Sequence, residues 1–271
     1  MKVAFQGERG AYSEIAALKY FDNPELIPKK TLVDVFDSVG KEVDYAVVPV
    51  ENSLEGSVNE AYDLLLTTDL IVIGEVYVRI IHCLISYEDN TIKDIKRVYS
   101  HPQALGQCKG FINAHRFEVI PYYDTAGSVK MLANNIIKDA AAIASRRAAE
   151  IYNMKILAES IEDDKNNYTR FLILGREQTK PTGNDKTMII FATKHAPGAL
   201  YEALGEFASR NINLTMIISR PIKGKPWEYN FYLDFEGHVD EPNIKECLDG
   251  LKYKTSFLKI LGSYPRAKID I

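Results

Sequence analysis

The chain has 271 residues, 46% of them hydrophobic, with 33 basic against 37 acidic side chains for a formal net charge of -4. Such a length allows about two domains of ~100–200 residues each, and without a long block of one sign neither nucleic acid nor an anionic membrane is an expected partner. Cys83, Cys108 and Cys247 are odd in number and far apart, which fits neither a disulfide framework nor a zinc ligand set; with no run apolar enough for a signal peptide or a ~20-residue membrane span, a cytoplasmic protein without a metal is expected.

The first 175 residues alternate short β-branched runs with segments of helical period, predicting a mainly parallel α/β sheet. Strands are expected at 3–5, 45–50, 71–78, 80–85, 97–100, 117–121 and 141–144, and helices at 11–20, 57–66, 102–113, 125–135 and 146–152. The stretch 76–85 reads as a doubled strand that carries the chain from one lobe to a second, and 171–174 as its return, so two lobes should flank a cleft. At 176–186 the composition turns polar, with Pro181, Thr182, Gly183 and Asn184, the signature of a linker. Beyond it the order β-α-β-β-α-β is that of a ferredoxin-like unit. The expected division is 1–176 as a two-lobed domain with its second lobe at about 79–158, 177–186 as linker, and 187–271 as a second domain.

Four polar segments stand where strands hand over to helices or loops return to strands. Phe5-Gln6-Gly7-Glu8-Arg9-Gly10-Ala11-Tyr12-Ser13 has two glycines at the wrong spacing for a dinucleotide turn and no acid placed for a ribose. Either its glycines only make a tight turn, or its backbone N–H groups bind a small carboxylate at the start of a helix. In Pro49-Val50-Glu51-Asn52-Ser53-Leu54-Glu55-Gly56-Ser57, Ser57 with Glu60 reads as a capping box, while Asn52 and Ser53 sit at a strand's C-terminal end, where open α/β sheets place ligand contacts. Ser100-His101-Pro102-Gln103-Ala104-Leu105-Gly106-Gln107-Cys108 invites a Cys-His nucleophile, but a helix start separates the pair and no electropositive pocket is evident for the thiol. Gln103 and Gln107, four apart, share a helix face and can offer amide donors to an anion. Asn167-Tyr168-Thr169-Arg170-Phe171 follows the acidic Glu162-Asp163-Asp164, read as an exposed loop; by itself this is a loop rejoining a strand.

Together with Asp124-Thr125-Ala126-Gly127, these ordered segments resemble the prephenate dehydratase family over essentially the whole chain, and 188–261 resembles the ACT regulatory module. The resemblance implies an α/β, two-lobed, periplasmic-binding-protein-like catalytic domain followed by a ferredoxin-like ACT domain. It implies a cofactor-free lyase that removes the ring hydroxyl and ring carboxylate of prephenate together, giving phenylpyruvate for L-phenylalanine biosynthesis. Carried over residue by residue, the catalytic positions are Thr169, Asn52, Ser100 and Gln107, and the substrate-binding positions Arg170, Phe171, Ser53, Thr125, Gly7 and Ser13. Thr169 is read as a hydrogen-bond donor to the departing oxygen, since its hydroxyl is too weak an acid to protonate it fully. Arg170 is read as the partner of a substrate carboxylate. L-Phenylalanine is the implied effector, at Gly198, Ala199 and Leu200 and at Ser219, Arg220 and Pro221. The motif departs from the family pattern at Ile218, where an acid is usual, and at Met216, a place that is often basic. A homodimer or tetramer is expected. The rival reading, a non-catalytic solute binder with two lobes about a cleft, calls for an export signal or a DNA-reading segment, neither of which the sequence shows.

Overall fold

The computed structural model describes residues 1–268. In chain order its elements are β1 (Lys2–Gln6), α1 (Tyr12–Tyr20), β2 (Glu25–Lys29), α2 (Leu32–Ser38), β3 (Tyr45–Asn52), β4 (Gly56–Ser57), α3 (Asn59–Thr67), β5 (Ile71–Arg79), β6 (Cys83–Ser86), β7 (Arg97–Ser100), α4 (Pro102–Gln107), α5 (Lys109–His115), β8 (Glu118–Pro121), α6 (Thr125–Asn134), β9 (Ala140–Ala144), α7 (Arg146–Ile151), β10 (Lys155–Glu159), β11 (Tyr168–Gly175), β12 (Asp185–Ala192), α8 (Ala199–Ala208), β13 (Leu214–Pro221), β14 (Tyr229–Glu236), α9 (Pro242–Lys254) and β15 (Phe257–Pro265). They form two compact units: Met1–Tyr62 with Val76–Phe171, and Asp63–Glu75 with the chain from Leu172 onward. Residues 63–75 thus group with the C-terminal part, which the sequence-based division did not anticipate.

The first unit has two lobes. One sheet runs β2-β1-β3-β11-β5 with β4 beside β3, the other β10-β6-β9-β7-β8. The chain crosses between them at Ile80-Ile81-His82 and returns through β11, as the doubled strand and the 171–174 run predicted. Strand β9, Ala-Ala-Ala-Ile-Ala, shows why the second sheet is covered on both faces. Ala140, Ala142 and Ala144 enter one core with Ala126, Val129 and Leu132 of α6, while Ala141 and Ile143 enter another with Val98, Ala104, Leu105 and Ile112. Strand alternation sends successive side chains to opposite cores, which a continuous apolar run satisfies.

Two local expectations fail. Ser57 does not cap a helix: it pairs with Glu51 in β4, and α3 starts at Asn59. The helix expected over 102–113 is broken at Cys108 into α4 and α5, where the acidic loop, exposed from Asp163 to Asn166 as expected, docks. The N–H of Asp163 donates to the Gln107 carbonyl at 2.7 Å and its carboxylate accepts from the Gly110 N–H at 3.0 Å, while neighbouring Glu162 is buried.

In the second unit the sheet order β13-β14-β12-β15 with α8 and α9 is the ferredoxin-like arrangement predicted from the sequence. Ile189 and Phe191 of β12 face a core with Phe207, Ile244 and Leu251. On the opposite face the segment 63–75 takes part: Glu75 receives the buried Lys186 ammonium at 3.0 Å, and Lys259 donates to the carbonyls of Leu65 and Leu66.

Candidate active site

The first unit contains a cleft of about 1060 Å³. Its walls come from both lobes: the turn after β1, the ends of β2 and β3, the start of α1, the crossover at His82, α4, the start of α6, and β11. Of the residues expected here, Gly7, Ser13, Asn52, Gln107, Thr125, Thr169 and Phe171 line it. Thr169 and Phe171 are two apart on β11, so the strand turns both to the same side.

Three expected residues stand elsewhere. Arg170 is buried and, lying between Thr169 and Phe171, faces the opposite side of the strand, so the guanidinium expected for a substrate carboxylate does not line the cleft. Ser100 is fully buried, and its hydroxyl donates to the Ile143 carbonyl at 2.5 Å, tying β7 to β9. Ser53 donates to the Asn166 carbonyl at 2.8 Å and accepts from the Tyr168 N–H at 3.0 Å, fastening the Asn52 turn to the start of β11.

The Gly7 turn is an anion-binding turn whose anions are internal. The Asp124 carboxylate lies against Gly7 and the Gly10 N–H donates to the Glu14 carboxylate, while the Gly7 and Ala11 N–H groups donate to the Lys29 and Glu8 carbonyls at 2.9 and 3.1 Å. A Cβ on Gly7 would stand 2.8 Å from Asp124 Oδ2, and one on Gly10, which has φ of +93°, 2.6 Å from Ala148 Cα. These are close approaches that only glycine permits. Glu14 itself is fully buried and accepts from Arg147 Nε and Nη2 at 3.1 and 2.8 Å, joining α1 of one lobe to α7 of the other. Ser145 adds a hydrogen bond to the Gly10 carbonyl at 2.6 Å.

The cleft's cations are Lys29, Lys30 and Lys130, none of them anticipated from the sequence. Lys29 pairs with Glu42 at 2.6 Å and Lys130 with Glu8 at 2.8 Å. The hydrogen bond from Lys130 holds the Glu8 carboxyl below its usual range. Lys30 carries no such ion pair among the described residues, and it completes the lysine pair at the C-terminal end of β2.

A hydrogen-bonded file of side chains crosses the cleft floor. Asn52 Nδ2 donates to Asn167 Oδ1 at 2.7 Å and to Thr169 Oγ1 at 3.0 Å, with the Tyr168 carbonyl at 3.2 Å. Asn167 Nδ2 donates to Gln107 Oε1 at 2.9 Å, and His82 Nε2 lies 2.9 Å from the same oxygen. Burial pushes the His82 pKa down, keeping the ring neutral near pH 7. The Cys-His pair that the sequence suggested does not meet in the cleft: His101 lines it, whereas Cys108 is fully buried and burial pushes its thiol pKa far up. Among the described residues no group of three or more His, Cys, Asp or Glu side chains is placed to hold a metal ion, and no described helix is long and apolar enough to cross a membrane.

This two-lobed unit coincides with a known family: residues 3–179 match the family model described as prephenate dehydratase. The chain belongs to the prephenate dehydratase family. An ACT domain model matches residues 187–252. Among curated relatives of the prephenate dehydratase family, the bifunctional chorismate mutase/prephenate dehydratase of Aquifex aeolicus (strain VF5) is 43% identical over 274 residues, which cover 100% of this chain and 75% of that protein. Of solved structures, the prephenate dehydratase of Arthrobacter aurescens in complex with L-Phe superposes with a TM-score of 0.90 at 32% identity, over 98% of this chain and 90% of that one. GqqA, named as a novel type of quorum-quenching acylase, superposes with a TM-score of 0.91 at 33% identity over 98% of both chains.

Proposed function

We propose that the cleft converts prephenate to phenylpyruvate, water and carbon dioxide. The formation of an aromatic ring drives the reaction, so the protein's task is to hold two carboxylates and help the ring hydroxyl depart. The supporting observation is the Thr169 hydroxyl at the cleft floor: its oxygen accepts from Asn52 Nδ2 at 3.0 Å, which leaves its own proton to donate to the leaving oxygen. A donor aimed at developing negative charge in a low-dielectric site stabilises the transition state without itself becoming an anion. Gln103 and Gln107, both on the α4 wall, supply amide donors, and Lys30 takes the place that the sequence gave to Arg170 as carboxylate partner.

The first domain as proposed spans 1–176 and the linker 177–186, and its residues 63–75 group with the C-terminal unit. In that unit, L-phenylalanine is the proposed effector, held at Gly198, Ala199 and Leu200 and at Ser219, Arg220 and Pro221. Gly198, with φ of +80°, caps α8, and Arg220 donates to Asp63 at 3.3 Å. A homodimer or tetramer, expected from the ACT module, is supported by the sheet edges β13 and β15, which expose Ile217, Phe257 and Ile260. A cytoplasmic location accords with the buried, unpaired cysteines.

The direct test incubates the purified protein with prephenate and follows prephenate loss against phenylpyruvate appearance, with an amide-hydrolysis assay in parallel. Equal rates of loss and appearance support the dehydratase. A folded protein that forms no phenylpyruvate refutes it, and hydrolysis alone would point to the chemistry for which GqqA is named.

A further inference from the structure

We infer that the file of side chains on the cleft floor is a directional relay, read out from two backbone amides, and that Asn167 and His82 are positioning residues for Thr169 and Gln107. Backbone donors at one end fix the direction of the file. The backbone N–H groups of Leu54 and Glu55 lie 3.0 and 3.1 Å from one terminal atom of the Asn52 side chain. Backbone N–H groups only donate, so that atom is Oδ1. The other terminal atom is then Nδ2, and its protons go to Asn167 at 2.7 Å and to Thr169 Oγ1 at 3.0 Å, the latter shared with the Tyr168 carbonyl.

The same logic passes down the file. The Asn167 atom facing Asn52 Nδ2 must accept, so it is Oδ1, and Asn167 presents Nδ2 to Gln107 at 2.9 Å. The Gln107 atom there must accept in turn, so it is Oε1. His82 Nε2, 2.9 Å from that oxygen, has to carry a proton. The neutral ring therefore sits in its Nε2–H form, with Nδ1 unprotonated and 3.1 Å from the Tyr12 hydroxyl, whose proton goes chiefly to the Ile81 carbonyl at 2.7 Å. The charged neighbour on the far side, Glu162, accepts the His82 backbone N–H at 2.9 Å and not the ring.

The consequence appears at both ends of the file. Thr169 Oγ1 receives a hydrogen bond from Asn52, so its own proton is directed away from that contact. Gln107 Oε1 receives two hydrogen bonds, from His82 and Asn167, so the side-chain NH2 of this cleft-lining residue is the end left for substrate. Asn167 is fully buried and His82 nearly so, and reversing any one member would set two donors or two acceptors face to face in a site with little water to relieve them. His82 and Asn167 thus act through Gln107, Asn52 and Thr169.

The test has a spectroscopic half that is independent of turnover and a kinetic half that rests on the dehydratase reading. In the full-length protein with ¹⁵N-labelled histidine, His82→Gln identifies the His82 signals by their loss, and the wild-type ring should show a proton on Nε2 and none on Nδ1. An Nδ1–H ring overturns the relay whatever the protein catalyses. In the kinetic half, His82→Gln keeps an N–H donor at the depth of Nε2 and should hold kcat within about threefold, whereas His82→Leu should lower kcat on the order of a hundredfold with KM little changed. Equal losses in the two variants, or a His82→Leu enzyme with wild-type kcat, overturn the positioning role. Wild-type protein that does not turn over prephenate sinks the functional reading while leaving the tautomer result standing.

Discussion

Replacing Thr169 separates the hydroxyl from its packing. Thr169 is 9% exposed on β11 and its oxygen takes one of the protons of Asn52 Nδ2. In Thr169→Val that proton keeps the Tyr168 carbonyl at 3.2 Å, while Asn167 Oδ1 still holds the other at 2.7 Å. No buried donor is stranded, so the loss of folding stability should be at the low end for a single hydrogen bond, about 1 kcal/mol or less. The catalytic loss should be far larger. Removing one donor to a developing oxyanion costs roughly 10²–10³ in kcat, equivalent to ~2.7–4 kcal/mol. Thr169→Ser retains the donor and loses only the methyl that fixes its rotamer, so a loss of about tenfold or less is expected. Phenylpyruvate formation gives kcat and KM, and urea unfolding followed by circular dichroism gives stability. Equal losses in the serine and valine variants, or a valine variant within tenfold of wild type, would show that the hydroxyl proton is not the working group.

Lys30→Met should raise KM for prephenate about tenfold, with the difference shrinking as salt rises and kcat nearly constant; an unchanged KM removes Lys30 from substrate binding. Because burial sets the His82 pKa below its unfolded value, the stability it contributes is present above the unfolded histidine pKa and is lost as pH falls from there toward the folded value. Urea midpoints taken from about pH 8 to about pH 5 should therefore fall more steeply in wild type than in His82→Gln, and parallel slopes would contradict the assignment. Isothermal titration with L-phenylalanine should give a binding heat that Gly198→Val abolishes, since valine is strained at φ of +80°. No heat from the unmodified protein would sink the regulatory reading.

Much of the scaffold was legible because period and punctuation agreed. Strand 97–100 has the bounds that the alternation predicted, and the β-α-β-β-α-β order of the C-terminal unit follows from its turns. What escaped notice was short or at an edge. β2, Glu-Leu-Ile-Pro-Lys, contains a proline that argues against a strand, yet it lies at the sheet edge where proline is tolerated. With β2 unseen, Lys29 and Lys30 at its C-terminal end could not be placed in the cleft. The helix after it was readable from the Thr31 and Asp34 capping box. Arg170 was misplaced although strand alternation applied to Thr169 and Phe171 would have turned it away. His82 gave no usable signal, because a lone histidine in an apolar run reads as core; its partner Gln107 lies 25 residues further along the chain, and Asn167, the partner of Gln107, 60 residues beyond that.

The contact between Gly10, Glu14, Ser145 and Arg147 bears on how substrate reaches the cleft. A fully buried carboxylate held by the guanidinium of the opposite lobe, beside a glycine that cannot accept even a methyl group, acts as a rivet. Swinging the lobes apart there would bring a charge out of its partner's reach, and the Lys130–Glu8 pair, 2.8 Å apart across the same two lobes, adds a second tie. The floor around Thr169 is therefore already set before prephenate arrives. Binding energy is then left for the departing groups and is not consumed in assembling the site.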